Sequence, residues 1–582
     1  MKSIRDITHA PTLWFGTSSL AMPKGSPTRF QLSGEMGYRL GRSIDRIESQ
    51  VPYCEQYLLT QVCAEPGCWS NFPRFHGDIA GRWILAETHV YSGEASPPEH
   101  LAGVVAGMLK LQNQDGSFGS LAWDDEPLNP EKAYGNGWTL KALGQYALTF
   151  GDPAVTEAVK ALGECYLRIA PAWHAWDQGE TISRGYASTV SCFYHGLDGV
   201  MTLYRLTGDE RYLSLAGEMI EHVTPLEEAD HSHMYLMTRR GMLAYYRERG
   251  DKAAIDDLAS ELDRFHDLWV METGGIPERL VKPDETWELV DEGCSLFDWH
   301  LLTLGMYDAT GHERWLRRSI LNLENQIFYN QTYNGGFGSV DLEGYYAQMG
   351  KEAPWCCSLF GPYGLIAGAG QMVRCDGETL TILHPVSGTF VFGEQQVVIE
   401  RDDHVGELRI VLKGGVTIRS IRIATPFWMK LEGQPDAGGD EIYWTELKVA
   451  GEGVVTVRYG YRIWPASRGV APRWMKTARA GDEVNLFLGP WLLTHRHRDE
   501  DVGVSASVEG GFVTSGQVDH LLGLPGSGEG HRVILKSDRE VDPKTTFRWP
   551  TQSPEDVYLY ELKECESPNH GVARVRLLAA QD

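Results

Sequence analysis

The stretch APWCCSLFG, residues 353–361, sets Cys356 beside Cys357. Adjacent cysteines make a poor disulfide, because neighbouring Cβ atoms point apart along the backbone and bridging them strains the peptide. The pair therefore reads as two thiols, either small core hydrophobes or groups that serve one site as metal ligands or as a nucleophile. In DEGC, residues 291–294, Glu292 and Cys294 stand two apart, and Cys294 precedes Cys356 by 62 residues. One oxygen and three sulfur donors suit tetrahedral Zn²⁺ better than calcium or magnesium. E-x-C is common, however, and no C-x-x-C knuckle accompanies it. Spacing alone leaves a metal site and unrelated core thiols both open. Glu278 lies a little upstream, just after the Gly-Gly turn of GGIPE, residues 274–278.

Residues so far apart in sequence need a scaffold to bring them together. A weak repeat runs through GQYALTFGDPAV, TLYRLTGDERYL, LAYYRERGDKAA and LGMYDATGHERWL, each a Tyr-containing apolar segment that ends at Gly151, Gly208, Gly250 or Gly311. Glycine supplies the left-handed residue that stops a helix, and an Asp directly after it can cap the next one. Each copy therefore marks a joint between antiparallel helices, and spacings of about 40 to 60 residues are those of helical hairpins. Helix-period patterns extend from about residue 36 to about residue 370, which predicts an α/α toroid over 36–372; an open α-solenoid uses the same local grammar. After about residue 376, segments such as ELRIVLKG and GVVTVRYGYRIW alternate apolar and polar residues between turns. That texture predicts a β-sandwich over 373–500 and a β-rich region over 501–582, separated by the loop LLGLPGSGEGH. The N-terminal segment, 1–35, is expected to pack on the C-terminal β region.

Totals narrow the function classes. The formal net charge of −26 across 582 residues argues against nucleic acid or an acidic membrane surface as partner. No run of about 18 apolar residues suggests a membrane span. The first twenty residues show no apolar core and no small-residue cleavage site, so the expectation is a cytoplasmic chain whose ten cysteines are reduced.

GGIPE…DEGC, followed by LLTLGMYDATGHERWLRRSILNLENQIFYN and WCCSLFGPYGL, resembles glycoside hydrolase family 127, the β-L-arabinofuranosidases and their relatives. That family has a G-G-x-x-x-E stretch before E-T-C, and later C-C-P-P-N. The likeness extends more loosely to DIAGRWILAET, MLKLQNQDGSFG and GVMTLYRLTGDERYL, covering roughly residues 70–370. It implies that Glu292, Cys294, Cys356 and Cys357 bind zinc, that Cys356 is the nucleophile, and that Glu278 is the general acid/base. A zinc-held thiolate would take the place of the nucleophilic carboxylate of most retaining glycosidases.

The sequence also departs from the family. Gly293 stands for the Thr of E-T-C, CCSLFGP replaces C-C-P-P-N, Ile320 falls where a sugar-contacting Glu is expected, and EKAYGNGW, residues 131–138, lacks the His of H-E-L-Y. Candidate sugar contacts are His233 (chosen over His231), His195 and Trp355, each set against a packing or capping role. Cys54, Cys63 and Cys68 show no fourth ligand and read as ordinary buried thiols. The expectation is thus a retaining glycoside hydrolase with Zn²⁺ as cofactor, a small carbohydrate as substrate and a homodimeric assembly. Two rivals stay open: a catalytically silent zinc-stabilised carbohydrate-binding or scaffold protein, and a toroid lyase or epimerase using Arg239 and Arg240 near His233.

Overall fold

The computed structural model describes residues 13–63, 74–179, 191–280, 291–339, 351–403, 405–415, 417–433, 442–467 and 483–495, then separate strands between 503 and 578. Residues 1–12, Cys68 and most of the LLGLPGSGEGH loop lie outside the described residues. Among those described, twelve helices of nine residues or more follow one another. They are α1 (Gly34–Ser49), α2 (Asp78–Val90), α3 (Glu99–Leu109), α4 (Pro130–Phe150), α5 (Pro153–Gly179), α6 (Leu197–Thr207), α7 (Glu210–Ile220), α8 (Ser232–Arg249), α9 (Lys252–Trp269), α10 (Gly293–Thr310), α11 (Glu313–Leu321) and α12 (Cys357–Met372).

Helices α2, α4, α6, α8, α10 and α12 pack side by side, and α12 returns to α2. The ring closes, so the helical part is an α/α toroid and not an open solenoid. Helices α3, α5, α7, α9 and α11 back the inner helices that precede them, and α1 backs α12. Composition explains which helix goes where. Every residue of α2 is buried, as an inner helix with neighbours all round requires. Outer α9 buries only Ile255, Leu258, Ala259, Leu262, Phe265 and His266, a single stripe at helical spacing.

The repeated joints have the expected chemistry. Gly151, Gly208, Gly250 and Gly311 all end their helices in the left-handed conformation. Asp152 accepts from the Ala154 amide, Asp209 from Arg211 and Asp251 from Ala254. His312 begins α11 without a side-chain cap.

The β portion follows the toroid as a sandwich. One sheet has the order 15–16, 29–32, 388–392, 395–402, 407–413, 453–461 and 429–431, so N-terminal strands extend an edge made by the later chain. The second contains 442–448, 420–426, 379–382 and 373–376. A third sheet collects the strands from Ile463 to Leu578. Glu324 ties toroid to β portion: its carboxylate accepts from Arg401 Nη1 at 2.6 Å and Trp491 Nε1 at 2.9 Å, and lies 2.7 Å from His384 Nε2. No helix among the described residues is long and apolar enough to cross a membrane.

Candidate metal centre and active site

Two inner helices begin at the same place. Glu292 is the residue before α10 and Cys294 lies in its first turn, while Cys356 precedes α12 and Cys357 opens it. Cys356 has φ −144° and ψ −71°, outside the helix that Cys357 enters. This change of backbone direction lets neighbouring side chains face one point, and their Sγ atoms lie 3.5 Å apart. Both helices also bring the positive end of their dipoles to the cluster, which favours anionic groups there. Gly293 explains the departure from E-T-C: a Cβ at this position would stand 3.0 Å from Cys357 Cβ and 3.2 Å from Asn330 Oδ1. The side chain is missing where the first turns of α10 and α12 meet.

Donor atoms of Glu292, Cys294, Cys356 and Cys357 all lie within 4.8 Å of one another. Cys294 Sγ is 3.6 Å from Cys357 Sγ. These separations are far beyond the S–S bond of about 2.05 Å. They match the edge of a tetrahedron with metal–sulfur bonds of about 2.3 Å, which is about 3.8 Å. The donor set and its spacing therefore fit a thiolate-rich tetrahedral metal ion. Two other groups, Glu48 with Glu87 and His100, and Asp115 with Asp124 and Cys165, bring only three donors together. Asp115 is moreover occupied by the amides of Ser117, Trp123 and Asp124.

The thiols are not equivalent. Hydrogen bonds from Cys294 and Cys357 draw the Cys356 thiol well below its ordinary range. Burial pushes Cys294 well above it. Burial, then the charge of Glu278, raises the Glu292 carboxyl. Glu278 is raised as well, by burial and then by the Cys356 thiolate. The shifts thus run in opposite directions, with the Cys356 thiol moved down and the Glu278 carboxyl moved up.

His231 links the two carboxyls. Its Nδ1 accepts from the Met234 amide at the start of α8, so the proton belongs on Nε2. Nε2 is 3.4 Å from Glu292 Oε2 and 3.9 Å from Glu278 Oε1. Burial lowers this imidazole to about 3, so it is neutral. The Glu278 segment is pinned on both sides: Ser232 N donates to Glu278 O at 3.0 Å, Leu280 N donates to Asp230 O at 2.9 Å, and Pro277 bridges to Asp291.

A π-helical turn, Asn322–Ile327, braces both loops. Gln326 Nε2 donates to Asp291 Oδ2 at 2.6 Å, and Asn330 Nδ2 to Asp291 Oδ1 at 2.9 Å. Thr273 Oγ1 donates to Gln326 Oε1 at 3.0 Å, and Asn322 Nδ2 to Gly274 O at 2.7 Å. Gly274 has φ +82°, and a Cβ there would stand 2.5 Å from Asn322 Cα.

The remaining candidates fall around this centre. His233 Nδ1 lies 2.5 Å from Asp298 Oδ2 and Nε2 lies 3.3 Å from Arg82 Nη2. His195 is fully buried, stacks on Tyr134 at 4.3 Å, and has neither ring nitrogen hydrogen-bonded. Trp355 is half-buried against the core. Arg239 bonds Glu261 and Arg240 bonds Asp298. Cys54 is exposed and Cys63 half-buried, so these are not the buried thiols expected of them.

Sequence reasoning missed Arg82, Tyr134, Trp138 and Asp298. Arg82 donates to Tyr134 Oη at 2.9 Å and lies 4.0 Å from the Trp138 ring centre. Tyr134 and Trp138 come from EKAYGNGW, where the expected His is absent. The available signal was Asp78 and Arg82, a charged pair four apart in the first half of a helix that is otherwise apolar from Ile79 to Ala86.

No protein-family model and no curated protein matches this chain. Solved structures do. A family 127 β-arabinofuranosidase is 12% identical with a TM-score of 0.68, over 95% of this chain and 98% of that one. A family 127 β-L-arabinofuranosidase from Geobacillus stearothermophilus T6 is 13% identical with a TM-score of 0.65, over 94% and 100%. A structure described as a glycoside hydrolase is 13% identical with a TM-score of 0.61, over 97% and 99%. At such identities the likeness is one of fold: this chain is built, over nearly its whole length, on the toroid-and-sandwich plan of those proteins.

Proposed function

We propose that this protein is a zinc-dependent retaining glycoside hydrolase acting on a small glycoside such as a β-L-arabinofuranoside. Cys356 is the nucleophile and Glu278 the acid/base. The observation that carries this reading is the convergence of Glu292, Cys294, Cys356 and Cys357 within 4.8 Å of one another, with His231 standing between Glu292 and Glu278 at 3.4 and 3.9 Å. Glu292, Cys294, Cys356 and Cys357 would hold the ion, which when bound supplies the positive charge that keeps thiols ionised at neutral pH.

In the first step Cys356 Sγ attacks the anomeric carbon and a C–S bond forms as the glycosidic C–O bond breaks. Glu278 gives its proton to the departing oxygen. In the second step the Glu278 carboxylate takes a proton from water, the water oxygen bonds to the anomeric carbon, and the C–S electron pair returns to sulfur. Two displacements on opposite faces give net retention. His195, His233 and Trp355 are the proposed sugar contacts. His195, with both ring nitrogens unengaged, offers one donor and one acceptor to sugar hydroxyls.

A panel of nitrophenyl glycosides, read by product mass and by NMR of the new anomeric centre, tests this. Hydrolysis adds one water with retention, and the Glu278→Gln chain accumulates a glycosyl mass on Cys356. A product lighter by one water and absorbing in the ultraviolet would replace hydrolysis with elimination.

A further inference from the structure

Four anionic donors against a divalent ion leave a formal charge of −2 in a buried place. Burying such charge is costly without a compensating partner. One guanidinium meets the centre directly. Arg82, on inner helix α2 and 3% exposed, donates from Nη1 to Cys294 Sγ at 3.5 Å. Its other donors are committed as well: Nε to Asp78 Oδ1 at 2.6 Å, and Nη2 to Tyr134 Oη at 2.9 Å and toward His233 Nε2 at 3.3 Å. The ring of Trp138 lies beneath it, 4.0 Å away. A planar fork with five N–H donors can satisfy four such partners at once, and a lysine ammonium cannot.

We propose that Arg82 is the positioning residue and counter-charge of the thiolate centre, holding Cys294 as a fixed ligand while leaving Cys356 as the sulfur that reacts. This rests on the zinc-thiolate reading of the site. An N–H donated to a thiolate occupies a lone pair and draws density from the sulfur, which makes it a poorer nucleophile without removing it as a ligand. Among the described residues no N–H is bonded to Cys356 Sγ. The arginine thereby adds a further difference between two sulfurs, since its N–H is bonded to Cys294 Sγ and not to Cys356 Sγ.

The test uses the full chain loaded with zinc or, for spectroscopy, with cobalt. Zinc affinity is measured by competition with a chromophoric chelator, and the thiolate-to-cobalt charge-transfer band reports the sulfurs. Arg82→Gln is expected to weaken zinc binding about 10- to 100-fold, as loss of an outer partner of a ligand does, and to shift the band. Arg82→Lys should recover part of the affinity but not the wild-type band. Alkylation by iodoacetamide, mapped by peptide mass, should favour Cys356 over Cys294 less strongly in Arg82→Gln than in the wild type. A folded Arg82→Gln chain with wild-type affinity, band and alkylation ratio overturns the proposal. If that variant does not fold, a wild-type band in Arg82→Lys overturns it equally. Failure of the zinc reading looks different: the wild type itself then shows no thiolate-to-cobalt band.

Discussion

Cys294 Sγ and Cys357 Sγ stand 3.6 Å apart across 63 residues of chain. The separation is too long for a disulfide and close to that between two ligands of one tetrahedral ion. It arises because α10 and α12 are adjacent members of a closed ring and start at the same end, with glycine at the point of contact. The site is thus a property of the toroid.

Glu278 should control the alkaline limb of activity. In the proposed reaction it must be protonated to release the leaving group, and burial together with the Cys356 charge holds its proton to higher pH than an ordinary carboxyl. The wild type is expected to lose kcat/KM as pH rises through the raised Glu278 value. Glu278→Gln should lower kcat about 10²- to 10⁴-fold and abolish that limb, with zinc content unchanged. The pH–rate profile of both proteins on an aryl glycoside checks this.

Asp291 is predicted to position Glu292. Both of its oxygens accept amide N–H groups, from Gln326 and Asn330. Asp291→Asn would set an NH₂ against one of those donors, costing about 1–3 kcal/mol. Chelator competition should show zinc held about 10-fold more weakly or worse, and urea unfolding should show the stability loss.

Gly274→Ala combines a left-handed backbone with a Cβ 2.5 Å from Asn322 Cα. The strain should cost about 1–3 kcal/mol and displace the Glu278 loop from the π-helical turn. Expected are a lower urea midpoint and a fall in kcat. Gly250→Ala keeps the left-handed backbone but meets no atom within 4 Å, so it should lower the midpoint less and leave kcat unchanged.

His89 provides a pH test of stability away from the centre. Burial lowers its imidazole to about 3, and its Nδ1 lies 2.8 Å from Leu85 O. The unfolded chain takes up this proton near pH 6.5 and the native one does not, so the contribution is present above about 6.5 and is lost as pH falls toward about 3. The stability difference between wild type and His89→Gln, from urea melts at several pH values, should shrink by about 1.4 kcal/mol per pH unit in that window.

Much of this was legible in the chain because the signals were local. A Gly stop followed by an Asp cap is chemistry of three residues, and it located Gly151, Gly208 and Gly250 with their caps. Spacing left a metal site and core thiols both open; the resemblance pointed to Glu292, Cys294, Cys356 and Cys357 as one set, and their donor atoms do lie together. Arg82 was not legible: its four partners come from α2, α4, α8 and α10, and only the closed ring makes them neighbours. Asp291 was hidden in the same way, since its partners lie in and just after a π-helical turn that no helical periodicity announces. Sequence favoured His233 over His231 and gave no sign that His231 stands beside the two carboxyls. Structure assigns His231 to the two carboxyls and His233 to Asp298 and Arg82.

The most direct measurement is zinc per chain, by elemental analysis of protein purified under reducing, chelator-free conditions, with Cys294→Ser and Cys356→Ser alongside. The account predicts about one zinc in the wild type and its loss or weakening in both variants, because the two distant cysteines share one ion. A wild-type chain without zinc would contradict it.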